Sequence, residues 1–70
     1  MKLIYDATHD IADIVLSDDL DDLTSEVVRD DLVLDFAGDV LVRIEVQEAS
    51  RHLPADLLAT AQRVPALARD

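Results

Sequence analysis

Carboxylates dominate the side chains of this sequence that could do chemistry. Sixteen Asp and Glu residues stand against six Lys and Arg, which gives a formal net charge of -10. One turn combines a histidine with several carboxylates, a set that could bind a metal or transfer protons: His9, Asp6, Asp10 and Asp13. The loop-like spacing fits an exposed turn histidine equally well, and His52 has no second histidine within ligand spacing. We expect neither catalysis nor a structural metal here.

The sequence Asp-Asp-Leu-Asp-Asp at residues 18–22 is a second candidate cation site. An EF-hand loop would place its next ligand at position 23, which is a leucine, and would then need a glycine. We therefore interpret the loop as a solvated anionic surface. The predicted acidic partner face comprises Asp18, Asp19, Asp21, Asp22, Asp30 and Asp31.

Other kinds of active site are disfavoured by composition. The chain has no cysteine, and its single glycine cannot form a phosphate-binding loop. No Ser or Thr has a glycine-flanked elbow or an adjacent base. The net charge of -10 repels nucleic acid. We expect a protein that is not an enzyme, has no cofactor and does not bind nucleic acid directly.

The length of 70 residues allows one small domain. We predict a folded unit over residues 1–64 and a flexible tail over residues 65–70. No apolar run approaches the ~20 residues of a membrane span. Because strand-like sequence follows Met1-Lys2 directly, with no signal-peptide pattern, a cytoplasmic protein without a membrane partner is expected.

Hydrophobic periodicity predicts an α+β fold, an antiparallel β-meander of about four strands with one C-terminal helix. The strands are expected near residues 2–5, 11–16, 27–36 and 40–47, with a hairpin turn at Gly38. The helix is expected near residues 54–64, because Pro54 suits a first turn and Pro65 ends the helical geometry.

Alternation along these strands predicts two apolar sheet faces. The core face should contain Leu3, Tyr5, Ile14, Leu16, Leu34, Phe36, Val42, Ile44 and Val46, covered by Leu53, Leu57, Leu58 and Ala61. The second face should contain Ile4, Ile11, Val15, Val33 and Leu41, with Arg43 and Glu45 as polar neighbours. One helix cannot cover both faces, so we predict that the second is the interface of a homodimer or higher oligomer.

Several segments together resemble a known family. They are Met1 to Asp6, Asp10 before an alternating strand, Leu32 to Phe36, Ile44 to Val46 and Ala49 to Arg51. In this order they resemble the small prokaryotic family catalogued as domain of unknown function 2283, over roughly residues 1–53. Arg43 replaces a usual glycine, and Asp13 replaces a common tyrosine, which suggests a solvent-facing position or a charged partner.

The resemblance implies a soluble β-rich domain and carries no catalytic residues. Some relatives look like antitoxin partners of small RelE/ParE-like toxins. The leading interpretation is a non-enzymatic interaction module whose partners are itself and a small basic protein. The alternative is a small-ligand or divalent-cation-binding protein that uses the acidic face. Adaptation to a salt-rich cytoplasm, or a GC-rich genome, would also explain the excess of aspartate.

Overall fold

The computed structural model describes residues 1–18 and 22–63. In this part of the chain, six strands form one sheet in the order β3-β4-β5-β2-β1-β6, antiparallel except for the parallel pair β1–β6. The elements are β1 Lys2–Asp6, β2 Ile11–Val15, β3 Leu23–Arg29, β4 Leu32–Ala37, β5 Val40–Gln47, α1 Ala49–His52, α2 Ala55–Ala59 and β6 Gln62–Arg63. The fold is mostly β, with two short helices, and matches the predicted α+β class in part: six strands and two short helices replace the four-strand meander with one helix.

The predicted third strand over residues 27–36 is in fact two strands. Arg29 pairs with Leu32, so Asp30 and Asp31 form a two-residue turn between β3 and β4. The register shifts between Val27 and Arg29, which marks a β-bulge. Strand β3 lies at the edge of the sheet and is largely exposed, so its polar first half lacks the hydrophobic alternation that sequence reasoning depends on.

The single helix predicted over residues 54–64 is replaced by two short helices. Helix α1 ends before Leu53, whose backbone is extended because Pro54 follows it. Helix α2 ends at Ala59, and both the backbone N–H and the hydroxyl of Thr60 donate to the Leu57 carbonyl. The chain then returns to the sheet as β6, beside β1. Residue 64 and the predicted tail lie outside the described residues.

The two helices cover one face of the sheet. The buried cluster there comprises Tyr5, Ala12, Val46, Ala49 and Leu58, with Leu3, Leu32, Ile44, Leu53 and Ala61 packed against it. The predicted core face is thus largely correct, but Leu16 is exposed. Leu57 is also 40% exposed against 6% for Leu58, because the short α2 turns its second leucine toward the sheet.

The β4–β5 hairpin is as predicted. Ala37 pairs with Val40, which leaves Gly38 at φ +62° and Asp39 in the turn. A second register shift follows directly and places Leu41 opposite Phe36. The shift occurs because β5 has one residue more than β4 at this point.

Candidate functional site

Asp10 is the centre of a hydrogen-bonded cluster that joins two distant parts of the chain. The Tyr5 hydroxyl donates to Asp10 Oδ1 at 2.6 Å. Ser50 donates twice, from its backbone N–H to Oδ1 at 3.0 Å and from its hydroxyl to Oδ2 at 2.6 Å. The backbone carbonyl of Asp10 also accepts the N–H of Ala49 at 2.9 Å.

The geometry of this cluster is that of a remote helix cap. Glu48 precedes α1 in the left-handed region and makes no side-chain cap, so the Asp10 carboxylate satisfies the exposed N–H of Ser50. The hydrogen bonds from Ser50, and then from Tyr5, lower the pKa of Asp10. The bond to Asp10 also raises the pKa of Tyr5. The Ser50 hydroxyl donates its hydrogen bond to a carboxylate, whereas a serine nucleophile activated by histidine donates its hydrogen bond to the imidazole.

The second carboxylate of the β1–β2 turn, Asp6, is buried and bonds within its own turn. Its Oδ1 accepts the backbone N–H groups of Thr8 and His9, and its Oδ2 lies 2.8 Å from the His9 Nδ1. Burial raises the pKa of Asp6, but the bonds from the His9 ring and from the backbone outweigh it and leave the pKa below its ordinary value. The sequence cluster of His9, Asp6, Asp10 and Asp13 is therefore divided, since Asp6 and Asp10 have separate partners.

A shallow groove of about 450 Å³ lies at the β3–β4 turn, lined by Arg29, Asp30, Asp31, Gln47 and Glu48. Asp31 lies 2.5 Å from the His52 Nε2 and 3.7 Å from the Arg29 Nε. The walls of the groove therefore carry both signs of charge. Asp31, predicted as part of an anionic face, is paired with two basic groups of its own chain.

The second sheet face carries an ion pair, between the partly exposed Arg43 and a buried carboxylate, that the sequence did not reveal. Asp35 is 2% exposed and accepts from the Arg43 Nε and the Ser25 hydroxyl, each at 2.6 Å. Burial raises the pKa of Asp35, but the two donors together lower it below the ordinary value. Asp13 is buried on the same face, so of the two positions expected for it, facing solvent or facing a charged partner, the solvent-facing one is wrong.

The register brings most of the predicted interaction residues onto this second face. Ile4 pairs with Asp13, which pairs with Glu45, which in turn pairs with Val33. Val15 pairs with Arg43 in the next row, while the bulge moves Leu41 to a position opposite Phe36. We call this surface the open face, because the helices pack on the other side of the sheet. The open face comprises Ile4, Ile11, Val15, Val33, Arg43 and Glu45.

The predicted acidic partner face does not form one patch among the described residues. Asp22 directly precedes β3 and Asp30 directly follows it, so the seven residues of the strand, about 23 Å, separate them. Asp18 is exposed in the loop that leads to β3. Asp19 and Asp21 lie outside the described residues.

Sequence reasoning missed a surface at the edge of the sheet. Strand β3 is exposed along most of its length, with Val27 68% and Val28 50% exposed. Beside it lies a groove of about 320 Å³, here called the Phe36 groove, lined by Thr24, Glu26, Phe36, Gly38 and Asp39. The only sequence signal for it was the pair of valines before Arg29, which were assigned to a longer strand over residues 27–36.

Among residues 1–18 and 22–63, no group of three or more His, Asp or Glu side chains is arranged to hold a metal ion. No helix in that part of the chain is long and apolar enough to cross a membrane.

These features define a small acidic α+β domain whose polar clusters tie the sheet to its turns and helices. The family model described as a protein of unknown function, DUF2283, matches residues 2–50. The chain belongs to this family. No curated protein and no solved structure matches the chain. Tyr5, Asp10 and Ser50, which lie in the segments that carried the resemblance, meet in one hydrogen-bonded cluster.

Proposed function

We propose that this protein is a non-enzymatic interaction module that self-associates through the open face and binds a small basic protein. A RelE/ParE-like toxin is the class of partner that the family resemblance suggests. The polar clusters support a non-enzymatic role, because the carboxylates of Asp6, Asp10 and Asp35 are each engaged by two or more donors of the chain itself.

The observation that carries the self-association is the composition of the open face. Ile4, Val15 and Val33 lie on it beside partly buried polar groups, and both helices pack on the opposite side of the sheet. A domain of this size buries only ~60% of the surface of its unfolded chain. A second copy on this face would supply apolar burial that the monomer lacks.

The distribution of charge supports a basic partner. Arg29, Arg43 and Arg51 each pair with a carboxylate of the chain, and the Arg63 guanidinium lies 4.9 Å from the centre of the Tyr5 ring. In contrast, several exposed carboxylates take part in no ion pair among the described residues: Asp18, Asp22, Glu26, Asp30, Asp39 and Asp56. The uncompensated surface charge is therefore negative, and it would steer a cationic protein toward this domain.

Sedimentation velocity at micromolar concentration tests the self-association. The wild-type chain should sediment as a dimer or larger, that is, at twice 7.7 kDa or more. Val33→Lys should shift it toward monomer, and the new ammonium group lies opposite Glu45, which helps the monomer to stay folded. Val40→Lys, at an exposed position in the hairpin, is the matched control and should leave the dimer intact. A folded, monodisperse wild-type monomer would refute self-association.

A further inference from the structure

We propose that the free edge of β3 and the Phe36 groove together bind an extended basic segment of the partner by strand addition. This inference rests on the basic partner proposed above and assigns its docking site. In strand addition, main-chain hydrogen bonds hold the segment, and pockets for alternate side chains select its sequence.

Strand β3 has the properties of an edge that can accept another strand. It is the first strand in the sheet order, and β4 is its only pairing partner among the described residues. Its regular part before the bulge, residues 23–27, contains neither proline nor lysine, the residues that commonly protect a free edge. The bulge between Val27 and Arg29 limits strand addition to this part. The exposed Val27 and Val28 offer apolar surface to an added strand.

The Phe36 groove selects a positive charge. Its lining includes the partly buried Phe36 and two exposed acidic residues, Glu26 and Asp39. Neither carboxylate takes part in an ion pair within the described part of the chain. A Lys or Arg side chain can lay its aliphatic stem on an aromatic ring and direct its cation to carboxylates beside the ring.

The pairing register connects the edge to the groove. Thr24 lies directly opposite Phe36, and Glu26 lies two residues further along the same face of β3. A basic side chain on the added strand would therefore cross the small Thr24 to reach the ring. Because side chains alternate between faces, every second residue of the segment faces the groove. The residues between them lie on the side of Val27, so the preferred segment alternates basic and apolar residues.

Titration with synthetic peptides at an ionic strength of about 0.15 M, where the Debye length is about 8 Å, tests this assignment. The probe is an acetylated and amidated hexapeptide of alternating Lys and Val. One control is the same peptide with Glu in place of Lys. The other is the Lys peptide with N-methyl groups on the amides of one backbone edge, which removes the N–H groups that would bond to β3. The protein variants are Glu26→Gln with Asp39→Asn, and a control that removes two remote carboxylates, Glu48→Gln with Asp56→Asn. Amide shifts in a ¹⁵N-labelled protein report which strand is contacted.

The Lys peptide should shift the amides of β3, and the groove double variant should weaken its binding about tenfold, as expected for two exposed ion pairs beside an aromatic ring. The remote double variant should change affinity less than about twofold, since charges beyond a Debye length are screened. The Glu peptide and the N-methylated peptide should bind far more weakly.

Two results would overturn the assignment in different ways. Equal weakening by both double variants, or full binding of the N-methylated peptide, would show that charge attracts the peptide without the β3 edge. In that case the proposal of a basic partner would stand, and only the proposed docking site would be wrong. If the Lys peptide binds no better than the Glu peptide, the basic partner fails and the proposed site with it.

Discussion

Replacing Asp10 with alanine tests whether the Asp10 cluster joins the β1–β2 turn to α1. The substitution removes three hydrogen bonds, one from Tyr5 and two from Ser50. At about 1 kcal/mol for each bond in this partly exposed position, the loss is about 3 kcal/mol. A domain of 70 residues has a total stability of only about 3.5–10 kcal/mol. At about 4–8 °C per kcal/mol, Tm should fall by about 12–24 °C.

Circular dichroism melts of a small variant set measure this effect and assign it to the cluster. Asp10 has φ +56°, a conformation that Asn tolerates, so Asp10→Asn should lie between wild type and Asp10→Ala. Ser50→Ala alone should lower the free energy of unfolding by about 1–2 kcal/mol. When Ser50 is already alanine, the further loss caused by Asp10→Ala should be smaller by a similar amount. Asp56→Ala, on the exposed surface of α2, is the control and should cost less than about 1 kcal/mol.

The pH dependence of the same variants gives an independent check. Because hydrogen bonds from Ser50 and Tyr5 lower the pKa of Asp10, its contribution is present above the ordinary value of 3.8 and is lost as pH falls through the lower folded value. The free energy of unfolding should therefore change less between neutral pH and pH 2 in Asp10→Ala than in the wild-type chain. An Asp10→Ala melt within about 2 °C of wild type at neutral pH would refute the cap.

Two further predictions follow from the packing and from the other shifted groups. Leu58→Ala should lower the free energy of unfolding, measured by chemical denaturation, by about 2–5 kcal/mol. Leu57→Ala should lower it by less than about 1 kcal/mol, because Leu57 is 40% exposed. Equal losses for the two variants would mean that the orientation of α2 is wrong. The pKa values of Asp6 and Asp35 are also lowered, so the stability that these carboxylates contribute to the fold should decline only below pH 3.8. The pKa of Tyr5 is raised, so the stability that its hydroxyl contributes should decline as pH rises above 10.0. A Tyr5→Phe variant should remove the alkaline decline, and an unchanged alkaline limb would contradict the bond to Asp10.

The local hydrophobic pattern was sufficient to predict the strands and turns in which one face is buried and the other is exposed. The strand predicted over residues 40–47 was confirmed as Val40–Gln47, because its side chains alternate cleanly between the two faces. The turn at Gly38 was also confirmed, because it needs a positive φ. The order of motifs identified the family, since the family match requires only the residues themselves.

Tertiary structure decided the features that depend on contacts between distant residues. Ser50 lies 40 positions from Asp10, so neither local period nor composition could show that one caps the other. Asp35 looks like a solvent-facing strand residue, and only its pairing with Arg43 and Ser25 makes its burial tolerable. The polar first half of β3, residues 23–26, was not predicted because an edge strand exposed on both faces needs no hydrophobic alternation. Periodicity records which side of an element meets the core, whereas the free edge and the Phe36 groove depend on which strands become neighbours.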